Sequence, residues 1–82
     1  MRIEKVITVI RDREPSDIKP NVAHRFDFED EDGNEYEWNT TTDPEEVRRG
    51  QKWLVRMTVF QNASVLNRSF QRVKNVSFVE RR

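Results

Sequence analysis

No cysteine occurs among the 82 residues, and there are only two glycines, three prolines and one histidine. Without cysteine there is no disulfide, no thiolate nucleophile and no thiolate metal site, a composition that fits a reducing compartment. His24 is the sole imidazole, and Ser16, Ser64, Ser69 and Ser77 stand in no strand-to-helix elbow, so a nucleophile–base pair has little to draw on. Two glycines are too few for a phosphate-cradling loop. The carboxylates are many, but nothing marks a pair with divided acid and base roles. The sequence therefore predicts no enzyme and no cofactor. Long apolar runs are missing as well. Charges interrupt MRIEKVITVIRDRE, so neither a signal peptide nor a membrane span is read, and a cytoplasmic location is expected. Asn-x-Ser/Thr triplets begin at Asn39, Asn62, Asn67 and Asn75 and are read as composition rather than glycan sites.

Charge is what the chain has in abundance. Fifteen basic and fifteen acidic residues give a net charge of zero. The two halves differ sharply. Residues 1–41 hold 6 basic and 11 acidic residues, net −5, and residues 42–82 hold 9 basic and 4 acidic, net +5. The neutral whole argues against non-specific nucleic-acid binding, whereas the C-terminal half alone argues for it.

The length allows one domain, 1–82, with one core. Residues 2–11 are rich in Ile, Val and Thr and read as a strand, apolar on both faces. Residues 12–21 carry two prolines and read as a loop. Residues 22–29 and 35–41 alternate. Phe26, Phe28, Tyr36 and Trp38 fall on one face, and Asp27, Glu29, Glu35 and Glu37 on the other, with Arg25. Glu31-Asp32-Gly33 suits a three-residue hairpin loop with Gly33 left-handed, which sets Phe28 opposite Tyr36 and Phe26 opposite Trp38. From Thr42 or Asp43 to Gly50 stand a cap, a proline, acids, bases and a closing glycine, the ordered signals of a one- or two-turn helix. Residues 52–60 form a strand with Trp53, Val55, Met57 and Val59 inward. Residues 61–68 read as a loop, and 69–79 as a last strand bent near Asn75. Strand, strand, strand, helix, strand, strand is the order of an all-β, five-stranded antiparallel Greek-key barrel of the OB type with one short helix between strands three and four. Another small antiparallel barrel, such as an SH3-like one, is the alternative.

Phe28-Glu29-Asp30-Glu31-Asp32-Gly33-Asn34-Glu35-Tyr36-Glu37-Trp38 with Thr40, then Gly50, Thr58-Val59 and Gln71, resembles small OB-fold proteins and domains of phages and bacterial mobile elements. The resemblance spans about residues 22–78. It implies an accessory role in replication or single-stranded-DNA handling. The 61–69 loop lacks a glycine, and Phe70 and Val73 stand where that pattern has polar residues.

The acidic run is not an EF-hand. Placing Gly33 sixth puts Phe28 first and Asn39 twelfth, and no metal site is expected. The acidic face of strands two and three repels phosphate, and exposing its aromatic face instead would bury unpaired carboxylates. Strands four and five offer Arg56, Phe60, Arg68, Phe70, Arg72 and Lys74, a basic surface with rings able to stack on bases if the phenylalanines are exposed rather than capping the core. Single-stranded DNA or RNA is the expected ligand. The competing expectation is a protein-interaction module, with a protein partner or self-association through opposite charges.

Overall fold

The computed structural model describes residues 1–13, 24–41 and 44–82. Five strands form a closed barrel: β1 (Arg2–Arg13), β2 (His24–Asp30), β3 (Glu35–Thr40), β4 (Lys52–Val65) and β5 (Arg68–Arg81), in the order β1-β2-β3-β5-β4, with β4 returning to β1. The expected loop after residue 13 and the start of the second strand at 22 lie outside the described residues.

The barrel is not antiparallel throughout. β3 runs parallel to β5, pairing Tyr36 with Gln71 and Trp38 with Val73. Five is odd, and a closed ring of alternating strand directions needs an even number, so one seam must be parallel. The β2–β3 register is the expected one, Phe28 with Tyr36 and Phe26 with Trp38. Asp30 and Asn34 close the three-residue loop, with Gly33 at φ +86°. The Asp30 carboxylate caps this turn. It accepts from the Asp32 and Asn34 backbone N–H groups (2.9 Å each), from Asn34 Nδ2 (3.1 Å) and from the Tyr36 hydroxyl (2.8 Å).

Ile7, Val9, Phe26, Phe28, Tyr36, Trp53, Val55, Met57 and Val73 fill the barrel, with Trp38 and Phe78 packed against them. Trp38 lies 5.5 Å from Phe26 and 5.6 Å from Phe78, centroid to centroid, within the preferred range for aromatic pairs. β1 is buried on one face only; Val6 and Ile10 on its other face are half-buried.

No helix forms over 44–50. A single turn closes by Val47 N–H donating to the Pro44 carbonyl (2.8 Å), and Gly50 donates to Val9 of β1 (2.8 Å). The Gln51 side chain accepts from the Arg48 backbone N–H and from Trp53 Nε1. Val47 is the one apolar residue between the proline and the glycine, and it is buried as a plug in the barrel end. One apolar side chain cannot anchor an amphipathic helix, and two turns do not hold alone in water. The expected cap at Thr42 or Asp43 lies outside the described residues.

Residues 61–68 are not a loop. β4 continues to Val65, the turn is Leu66-Asn67 alone, and β5 starts at Arg68. Side chains tie this arm across the strands: Gln71 donates to Asn62 and Arg72 to Gln61, 3.0 Å each. Polar residues read as loop formers are cross-strand partners here. The bend near Asn75 is a bulge with Asn75 at φ +52°, and its carbonyl accepts from Arg2.

Candidate functional site

The outward face of β1, β2, β3 and β5 is a lattice of opposite charges. Asp27 pairs with Glu37 across β2 and β3, so like charges stand directly opposite. Both are almost fully buried although they point out of the barrel, at 0% and 4% exposure. Four arginines cover them. Arg25 Nη2 donates to Glu37 at 2.6 Å, and Arg72 Nε stands 3.4 Å from the other Glu37 oxygen. Arg68 Nη2 lies 2.9 Å from Glu35 and 3.7 Å from Asp27. Arg11 Nη1 lies 3.3 Å from Asp27 and 3.5 Å from Glu35. The acidic face and the basic face of the sequence are thus one interlocked surface, because the β3–β5 seam sets the arginines of the second half against the carboxylates of the first.

The expected site residues divide. Arg68, Phe70, Arg72 and Lys74 alternate along the outward face of β5. Phe70 is only 6% exposed, roofed by the guanidiniums of Arg68 and Arg72 at 5.3 and 5.6 Å from its ring centroid. Phe60 is 53% exposed, with Lys74 Nζ 5.5 Å from its centroid. The two phenylalanines are therefore not exposed together. Arg56 belongs elsewhere: it pairs with Glu4 of β1 at 2.9 Å.

Two members of the lattice have weaker sequence signals. Arg25 lies on the same alternation as Asp27 and Glu37. Arg11 is hidden by a bulge after Val9. Unbroken alternation would place Arg11 inward with Ile7 and Val9, and the register shift turns it outward onto Asp27.

Asp30 lies opposite Ile7 on the inward alternation of β2, at the end of that strand and away from the charge lattice. Burial pushes its pKa up, but the hydrogen bonds from Tyr36, Asn34 and Asp32 outweigh it and hold the carboxyl below its ordinary value. Burial and the Asp30 carboxylate push the Tyr36 phenol up. Among the described residues no group of acidic, histidine or cysteine side chains is placed to hold a metal ion, and no helix is long and apolar enough to cross a membrane. Comparison of the chain with protein-family models, with curated proteins and with solved structures gives no match.

Proposed function

We propose that the chain is a non-enzymatic OB-type barrel that binds single-stranded nucleic acid along the outward face of β5, as an accessory in the DNA metabolism of a phage or mobile element. The strand order β1-β2-β3-β5-β4 with one parallel seam supports the OB assignment. The observation that carries the ligand is the spacing of Arg68, Arg72 and Lys74 at alternate positions of one strand, beside the exposed ring of Phe60. Cations in a row meet successive phosphates, and one exposed ring stacks a base. Arg56, held by Glu4 of β1, stands outside this row. Phe70 serves as a floor under the guanidiniums rather than as a stacking platform.

A titration of oligo-dT and of oligo-U at rising salt tests this. Three phosphates neutralised give a log–log slope of about −2 at ~0.7 per phosphate. Lys74→Glu weakens binding at least tenfold. Glu35→Gln releases Arg68 from its closest carboxylate and strengthens binding. No binding of either oligomer at low salt sinks the reading. One observation favours a protein-interaction module instead: the arginines of β5 already have carboxylate partners, which lowers their attraction for phosphate.

A further inference from the structure

The longest stretch without a charged residue is 57–67, eleven residues in a chain that is 37% charged. It forms the outer end of β4 and the tip of the arm. The β1–β4 ladder ends where Met1 and Val59 exchange backbone hydrogen bonds of 2.8 Å. From Phe60 to Val65, β4 has β5 on one side and, among the described residues, no strand on the other. The hairpin closes on Val65 and Arg68 through a two-residue turn. By antiparallel alternation Ala63 and Val65 turn their N–H and C=O toward β5, while Asn62 and Ser64 turn theirs to the open edge. Open edges are ordinarily blunted by lysine, proline or inward charge. This one carries none, and its flanking Phe60, Val65 and Leu66 are 53, 57 and 98% exposed.

We propose that this edge pairs with the same edge of a second copy of the chain, antiparallel about a two-fold axis at Ala63. In that register Ala63 faces its own counterpart. Asn62 exchanges both backbone hydrogen bonds with the copy's Ser64, and Ser64 with the copy's Asn62. Gln61 faces the copy's Val65, and Phe60 comes up to the copy's Leu66. The absence of charge is what selects a second copy. A two-fold axis sets a symmetric edge against itself, so any charge near the axis meets its like, and here there is none. The zero net charge adds no long-range repulsion. The paired segment is short, well below a standard interface of about 1,600 Å², so the dimer is reversible and concentration-dependent. The proposal rests on the β4 edge and not on the cations of β5, and stands or falls apart from the nucleic-acid reading.

Sedimentation equilibrium of the whole chain over a wide concentration range tests it. The expected result is a monomer–dimer equilibrium rising from the 9.9 kDa chain mass toward twice that value. Ser64→Pro removes an edge N–H while leaving the β5 ladder intact, and shifts the dimer dissociation constant at least tenfold. Ala63→Lys and Ala63→Glu are each monomeric, and an equimolar mixture restores the dimer mass. Circular dichroism of each variant matching the parent shows that folding is retained. A chain that stays monomeric to the highest soluble concentration overturns the proposal. So does a dimer that survives both Ser64→Pro and Ala63→Lys, or a mixture that fails to reassociate.

Discussion

Leu66 occupies the left-handed region at φ +57° while 98% exposed, so its side chain strains the turn and, among the described residues, gains almost no packing in return. Leu66→Gly therefore stabilises the dilute, monomeric protein by about 1 kcal/mol, measured by urea unfolding. A loss of stability would mean that Leu66 makes contacts within one chain. Asn75 has a similar φ of +52°, but asparagine tolerates that region and the bulge needs it. Asn75→Val costs roughly 1–2 kcal/mol by the same measurement. Asp30 is a different case, since its folded carboxyl lies below the ordinary value. A depressed pKa gives stability that is fully present above the unfolded value, near 4, and is lost as pH falls through the folded value. Asp30→Asn thus lowers stability at neutral pH by roughly 1–2 kcal/mol and flattens the acid limb of the stability curve. An unchanged acid limb would mean that this turn does not report on the proton.

At the scale of strands, alternation is readable wherever the pleat is unbroken. Phe26, Phe28, Tyr36, Trp38, Trp53, Val55 and Met57 all lie on the face that period two assigns them, because five aromatic side chains, a valine and a methionine cannot all face water. Trp38→Ala is expected to cost about 3 kcal/mol and Phe28→Ala about 4 kcal/mol, read as a fall in unfolding midpoint. Register shifts are where the pattern stops being legible. One after Val9 turns Arg11 outward, one between Val59 and Gln61 turns Gln61 toward Arg72, and one at Asn75 resets Val76 and Phe78 onto the core. Each adds a residue that no hydrophobic period counts. The segment 44–50 fails for another reason: its helix signals are local, and the outcome is set by where Val47 must go. The site is half legible for the same cause. The cations of β5 are visible as a row, but the carboxylates that hold them come from a strand whose neighbour is fixed only by barrel closure.

The whole molecule is a neutral object assembled from two oppositely charged halves, and the carboxylates at the centre of its charge lattice, Asp27 and Glu37, are buried beneath arginines that stay partly exposed. Salt screens such pairs poorly, so the melting temperature of the intact chain should vary little with ionic strength. Arg25→Met leaves Glu37 without its shortest donor and costs about 3 kcal/mol, since the carboxylate stays buried with less compensation. Retained stability would show that Arg72 and the Asn39 side-chain amide, which donates to Glu37 at 3.1 Å, suffice. The parallel seam carries a consequence for a severed chain. Cutting the exposed turn between Glu45 and Glu46 gives a fragment of 6 basic and 13 acidic residues, net −7, and one of 9 basic and 2 acidic, net +7. These two pieces attract over the whole distance of their approach, before any strand has paired. Their association is steered, faster than that of neutral fragments, and its rate falls steeply as salt is added, while the rate of separation barely changes. Stopped-flow mixing of the two peptides reads both rates directly. Barrel closure joins sequence-distant strands, and the division of charge between the halves supplies the force that brings them within reach.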